Sequence, residues 1–294
     1  MNTKSKFSLL LVFLGPSLLI LTVFFFIPVL ASFLMSFTDF DIYSLGNLSF
    51  LRIVYLDNYY KLFNDPLFWQ ALLNTFYFVL IGGPLSVLVS LLTAILLNSK
   101  YIKMKSLFRL FYFLPVVTTL IAVSIVWRYI YHPRFGLLNY FLSFVGIDAI
   151  DWLGDPFYAM PAIIIMAVWK NFGYNMIIFL AGLQSIPEDL YEAAEIEGAG
   201  ALKQFQHITI PMLAPTTLFI SLTTMIGYFQ LFAEPYIMTQ GGPLNSTLSI
   251  VLYMYQVGFR WWNIGYSTAI SFSLFLIILI GTLLQFKFSK SRDK

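Results

Sequence analysis

The sequence predicts an all-α membrane protein with six transmembrane helices and one helical loop on the cytoplasmic side. Three observations carry that prediction. Of 294 residues, 59% belong to the hydrophobic set and only 11% are charged, against about 45–50% and about 25% in an ordinary soluble domain. A fold of this size cannot keep that much apolar surface from water. The charges also leave six long stretches empty or nearly so, each long enough for the roughly 20 apolar residues that a spanning helix needs. Finally, runs such as Phe24-Phe25-Phe26-Ile27 and Ile277-Ile278-Leu279-Ile280 do not alternate in polarity, as barrel strands must. Cysteine is absent, which excludes disulfides, thiol catalysis and Cys-ligated metals. A net charge of +3 is too small to point to nucleic acid.

The charge-free stretches are 7–38, 66–99, 110–127, 156–187 (interrupted once by Lys170), 204–233 and 261–286. They predict helices over 9–36, 69–97, 109–131, 159–183, 211–232 and 267–286. The first has Lys4 and Lys6 before it, as a signal peptide would. Its apolar run is about twice the usual 7–15 residues and no small-residue cleavage site follows, so it reads as a retained helix. Lys and Arg near span ends set orientation. With the N-terminus in the cytoplasm, Lys4, Lys6, Lys100, Lys103, Lys105, Arg109, Lys203, Lys287, Lys290, Arg292 and Lys294 lie inside, and only Arg52, Lys61, Arg128, Arg134, Lys170 and Arg260 do not. Trp69, Trp127, Trp152, Trp261 and Trp262 then fall at or beyond outer ends, where indole rings favour the interface. Both termini are then expected in the cytoplasm, and the chain is expected to be a multi-pass membrane protein. Residues 1–68 form an N-terminal segment with the first span and an outer loop, 69–286 the core domain, and 287–294 a cytoplasmic tail.

The inner loop 184–211 is the most specific feature. Ser185 followed by Glu188 reads as a capping box, with Pro187 in the first helical turn. Glu188 and Asp189 sit at the positive end of the helix dipole. Helix formers run to Glu197, and Gly198 supplies the left-handed residue that ends a helix. A second short helix covers Ala201 to Thr209, and Pro211 opens the fifth span. The loop holds five carboxylates and one Lys. Leu190, Tyr191, Ala193, Ala194, Ile196, Ala199 and Leu202 give it an apolar side. Periodicity alone leaves a plain surface helix and a helix that docks into a partner's groove equally open.

Glu192-Ala193-Ala194, Gly198, Ile208, Ile210 and Pro211 resemble the "EAA" signature of ABC importer permeases, E-A-A-x₃-G-x₉-I-x-L-P, with Ile210 in place of Leu. Further segments are similar to the carbohydrate branch, that of the maltose and glycerol-3-phosphate permeases. They are Asn58-Tyr59 with Asp65-Pro66, Asn74-Thr75, Gly136 with Asn139, Trp152-Leu153 with Asp155-Pro156, Leu180 to Gln184 with Ile186-Pro187, and Thr239 with Gly241-Gly242-Pro243. The likeness covers roughly 55–286 and implies a compact, six-span type I permease without the maltose protein's inserted outer domain. It implies one half of a translocation pathway shared with a second, homologous permease subunit. It implies ATPase coupling through Glu188, Leu190, Tyr191, Glu192, Ala193, Ala194, Ile196, Gly198, Ala199, Gly200, Ile208 and Pro211. A dimer of separate ATP-binding subunits carries the ATP and Mg. This chain has no cofactor of its own and no phosphate-cradling G-x-x-x-x-G-K-[ST] segment. The resemblance also implies a bacterial cell-membrane location and an extracellular sugar-binding protein that docks near Gly241, Gly242 and Pro243.

Polar groups at membrane depth are costly, so each is a candidate for function. Trp169, Lys170, Asn171, Tyr174 and Asn175 lie mid-way along the fourth span; Thr223, Thr224, Tyr228 and Gln230 lie on the fifth, with Glu234 near its outer end. Aromatic rings stack on sugar faces, and amides and hydroxyls bond sugar oxygens. The resemblance puts the substrate pathway on these helices, at Lys170, Asn171, Tyr174, Thr224, Gly227, Tyr228 and Leu231. Asn175 and Thr223 read equally well as interhelix glue, and Lys170 as a partner for Glu234. Asn74, Gly82, Gly83 and Pro84 indicate a kink in the second span. His132 and His207 are far apart, so no metal site is expected. An importer of peptides or amino acids shares the coupling loop and is the alternative within transport. Outside it, an intramembrane enzyme lacks a catalytic constellation, and an autonomous secondary carrier lacks an evident inverted repeat.

Overall fold

The computed structural model describes residues 3–47, 49, 51–99 and 101–290. Lys100, Arg292 and Lys294 lie outside the described residues, as do the side chains of Lys4, Lys6 and Lys290. The described residues are helical, with isolated bridges only at Thr38–Ile53 and Asp41–Asn263. Four helices are each long and apolar enough to cross a membrane: Val12–Met35, Pro66–Asn98, Pro156–Gln184 and Ile264–Lys287. The other two positions are filled by bent pairs, Lys105–Val117 with Leu120–Ile130 at 99°, and Ala201–Met212 with Ala214–Phe229 at 62°.

The third span is therefore broken, where one helix over 109–131 was expected. Pro115 lacks an N–H and its ring crowds the preceding turn. Thr118 and Thr119 then take extended backbone, with ψ of 140° and 137°. The fifth span opens at Ala214 with Pro215 in its first turn, and not at Pro211, which lies in the last turn of the helix before the bend. Proline also explains the widened turns. Among the described residues, three of the four π-helical segments, Thr22–Phe26, Phe78–Gly82 and Phe205–Thr209, have Pro28, Pro84 or Pro211 two residues beyond their ends. A missing donor and a displaced carbonyl loosen the i−4 ladder just before each ring. Where a kink was expected, near Gly82-Gly83-Pro84, the structure has this widened turn within the continuous helix Pro66–Asn98.

By internal contacts the chain divides into 1–66 with 254–276, and 67–253 with 277–294. In the first unit, Asn58 is buried and its amide donates to the carbonyls of Ser36 and Thr38 at 2.9 and 2.8 Å. The Tyr59 hydroxyl meets that of Ser36, and the Tyr266 hydroxyl donates to Asp65 at 2.6 Å. The Asp41 carboxylate accepts from the N–H of Ser44 and of Tyr43, and the Ser44 bond chiefly holds its carboxyl below the usual range. In the second unit, the ends of the second, fourth and fifth spans share one apolar cluster: Ala94, Leu97, Met176, Phe179, Leu180, Leu183, Ile186, Leu213 and Ile220. Small residues allow the close approach. A Cβ at Gly173 would overlap the Tyr112 carbonyl, and one at Gly182 would lie 2.8 Å from the Thr216 hydroxyl.

Candidate functional site

The expected inner loop forms as two helices, Glu188–Ile196 and Ala201–Met212. Its capping box does not form. Ser185 closes the preceding helix instead: its N–H donates to Ala181 and its hydroxyl to Gly182. Pro187 holds the cap position and Glu188 is the first helical residue. The helix end is as the sequence reading has it. Gly198 has φ +78°, its N–H donates to Glu195 at 3.0 Å, and the Ala199 N–H reaches back to Ala194 at 2.8 Å. That pair of bonds is the Schellman closure. Gly200 has φ −72° and begins the second helix in extended backbone.

One side of this loop is fastened and the other is bare. Tyr191 and Ile208 pack on the apolar cluster, and the Tyr191 hydroxyl bonds that of Thr209 at 2.9 Å. Ile196 is 88% exposed and Leu202 68%, with Leu190 also exposed. Ala194 and Ala199 are half-buried, whereas Glu188, Glu192, Ala193, Gly198, Gly200 and Pro211 are exposed. These aliphatic side chains give the exposed side of the helix pair an apolar character.

The second element is a cavity of about 590 Å³ within the second unit. Lys170, Asn171, Tyr174, Thr224, Gly227, Tyr228 and Leu231, the seven residues that the resemblance puts on the pathway, all line it, and so do the further candidates Asn175 and Glu234. Trp169 does not. Its ring stands edge-on to Trp127 at 5.5 Å, because neighbouring helical residues point about 100° apart. Thr223 and Gln230 also line the cavity, as do Phe78, Val116, Leu120, Phe232 and Ala233. The last five went unread because an apolar residue in an apolar span carries no contrast. Tyr228 is held between Phe78, 4.8 Å away between ring centres, and Gly82, whose absent Cβ would lie 3.1 Å from the Tyr228 ring. Its hydroxyl is buried, with the side chains of Ser86 and Asn171 as its polar neighbours.

The two charges of the cavity, Lys170 and Glu234, form no direct ion pair among the described residues but act on each other electrostatically across it, a weaker form of the expected pairing. Among the described residues the ion pair is Arg52–Asp39 at 3.7 Å. The Lys170 ammonium instead donates to the carbonyls of Pro115 and Val116, at 3.4 Å each. These are carbonyls that the break in the third span leaves without helical partners. Asn175 donates to the Thr224 hydroxyl at 3.0 Å, a buried bond between the fourth and fifth spans, so the interhelix reading holds for it. Thr223 bonds back to Phe219 and Ile220 on its own helix.

The Thr-x-Gly-Gly-Pro segment forms a tight loop. Gln240, Gly241, Leu244 and Asn245 all have positive φ, and Gly242-Pro243 is cis. Thr247 ties the loop with bonds to the Thr239 hydroxyl and the Gly242 carbonyl. The second span anchors it: Gln70 donates to Leu244, and Asn74 to Asn245 and Leu248, at 3.1, 2.8 and 3.0 Å. Gly241 is buried and Gly242 and Pro243 are half-buried, while Leu244 at the tip is 84% exposed. Other signature residues are equally structural. Asn139 donates to Pro133 and Ile150 and accepts from the Trp152 indole, and Asp155 caps the fourth span.

Membrane helices around a polar cavity, with an exposed helical loop seated on their packed ends, define a permease subunit. The chain belongs to the family described as "Binding-protein-dependent transport system inner membrane component", whose model matches residues 9–294. It is 38% identical over 285 residues to the lactose transport system permease protein LacF of Rhizobium radiobacter, covering 95% of this chain and 93% of that one. It is 37% identical to the arabinooligosaccharides transport system permease protein AraP of Bacillus subtilis (95% and 88% covered). It is 32% identical to the trehalose/maltose transport system permease protein MalF of Thermococcus litoralis (94% and 92%). In fold it matches a chain from the crystal structure of a bacterial ABC transporter involved in the import of the acidic polysaccharide alginate. The TM-score is 0.83 at 22% identity, covering 99% of this chain and 98% of that one.

Proposed function

We propose that this chain forms half of the translocation pathway of an ATP-driven importer for an oligosaccharide or sugar derivative, paired with a second permease. The observation that carries the coupling half of this reading is the Gly198-closed helix pair. It is pinned to the spans through Tyr191 and Ile208 and leaves Ile196 and Leu202 bare. A cleft on an ATP-binding subunit covers those side chains. ATP and Mg stay on that partner, whose closing and opening push the loop and, through the shared apolar cluster, the second, fourth and fifth spans. The sugar assignment rests on the relatives, whose names specify lactose, arabinooligosaccharides and trehalose/maltose. The cavity suits it, since aromatic rings, amides and hydroxyls share its walls. An extracellular binding protein delivers the sugar near the Gly241–Asn245 loop.

ATP-driven uptake in vesicles holding the complete complex tests the proposal. Gly198→Asp with Glu192→Lys should abolish uptake, and uptake that survives both would sink the coupling role. Purification of the chain should bring an ATPase and a second permease with it. Because the chain has no cysteine, single cysteines at Ile196 and Leu244 test orientation: an impermeant thiol reagent added outside should label only the second.

A further inference from the structure

We propose that the short helix Leu137–Ser143, between the third and fourth spans, is a membrane-surface anchor. One of its faces lies in the headgroup and upper acyl region of the leaflet where those spans end. Leu137, Tyr140, Phe141 and Phe144 recur at i, i+3, i+4 and i+7, the spacing of a single helical stripe. All four stand between 57% and 69% exposed. Phe144 keeps helical backbone, so the stripe runs through the end of the helix. On the other side Asn139 is buried, and Leu138 and Leu142 are half-buried. No charged residue occurs between Arg134 and Asp148. An apolar stripe of this size is costly in bulk water.

What covers the stripe follows from where the fold fixes the helix. Gly136, the residue before it, lies against the end of helix Leu120–Ile130: a Cβ there would overlap the Ile130 and His132 carbonyls. Its N–H donates to the His132 carbonyl at 2.9 Å. Asn139 pins the buried side, donating to Pro133 and Ile150 and accepting from the Trp152 indole at 2.9 Å. The Trp152 ring lies 5.9 Å from that of Tyr131 and 5.8 Å from that of Tyr158. It therefore bridges the end of the third span and the first turn of the fourth. The Tyr131 hydroxyl closes the same junction by donating to Ala162. The helix is thus held at the level where both spans end, among the Trp and Tyr rings that favour the bilayer surface. An uncharged face of aromatic and aliphatic side chains at that level fits a lipid leaflet. So short a helix is marginal alone, but the contacts of Gly136 and Asn139 order it before any lipid does.

The anchor requires only that the chain crosses a membrane; neither the sugar nor the coupling role enters it. Spin labels on single cysteines test it in the complete complex, held in nanodiscs of phosphatidylethanolamine and phosphatidylglycerol. Phe141→Cys and Phe144→Cys report on the stripe. The exposed Asp148→Cys is the aqueous reference, and the exposed Phe24→Cys, within the span Val12–Met35, is the hydrocarbon reference. Power-saturation EPR compares collisions with oxygen, which concentrates in lipid, and with nickel ethylenediaminediacetate, which stays in water. Labels at 141 and 144 should favour oxygen and report a depth of about 5–10 Å, while the label at 148 should favour nickel. Nickel access at 141 and 144 equal to that at 148 overturns the proposal. So does poor access for both reagents, which would put another protein on the stripe, or a depth equal to that at 24, which would put the helix inside the hydrocarbon. None of these outcomes touches the coupling role, which fails only if uptake survives the loop substitutions.

Discussion

Replacing Gly198 with Ala should weaken the junction between the two loop helices without any steric clash. A Cβ built there meets nothing within 4 Å, and the residue sits at φ +78°. The cost is therefore conformational, roughly 1–2 kcal/mol for an L side chain in left-handed backbone. Relief through φ would break the Gly198–Glu195 and Ala199–Ala194 bonds, each worth about 0.5–1.5 kcal/mol net. The system takes the cheaper route, and a cost of about 1–2 kcal/mol lowers the population of the closed junction by a factor of about 5–30. Gly200 is the internal control: it too meets nothing within 4 Å, but its φ of −72° is ordinary. Gly200→Ala should be neutral or slightly stabilising, by about 0.4–1 kcal/mol, through the unfolded chain. Gly198→Asn should fall between the two, since Asn tolerates the left-handed region. Hydrogen exchange at the amides of positions 198 and 199 reads the junction, and the initial rate of ATP-driven uptake reads its use. Equal losses in Gly198→Ala and Gly200→Ala, or full amide protection in Gly198→Ala, would refute the reasoning.

Further substitutions probe the frame of the second unit. Gly173→Ala puts a methyl group onto the Tyr112 carbonyl and should cost about 1–3 kcal/mol as overpacking, seen as a lower unfolding temperature in detergent; Gly83→Ala, with nothing within 4 Å, should not. Asn74→Leu removes both donors to Asn245 and Leu248, a loss of about 1–3 kcal/mol, and limited proteolysis should then cut within 241–249. A double-mutant cycle on Asn175→Leu and Thr224→Val should give a coupling near 0.6 kcal/mol and below about 1.7 kcal/mol; a coupling of zero would mean that the 3.0 Å bond contributes nothing to helix association.

What could be read from the residues follows from where chemistry creates contrast. The spans were legible because a charge in hydrocarbon is expensive, so the gaps between charges bracket the helices. The loop was legible because its signals are local: Gly198 ends its helix by backbone geometry that no distant contact has to supply. Ser185 shows the limit of local reading. Its pattern with Glu188 fits a cap, but the end of the fourth span claims the same N–H and hydroxyl. Leu183 and Ile186, both buried in the shared cluster, hold the chain where that claim prevails. The 99° break at Thr118–Thr119 was hidden for a different reason. Residues 110–127 are uncharged throughout, and hydropathy measures composition without direction, so only Pro115 hinted at a bend. That break in turn decides the role of Lys170. Read as a lone cation at membrane depth, Lys170 looks like a ligand for substrate or a partner for Glu234. Once the third span is bent, two backbone carbonyls need a donor, and Lys170 is the side chain that reaches them. The hydrogen-bond partners of Lys170 thus depend on a backbone break one helix away, which its position on the fourth span alone does not reveal.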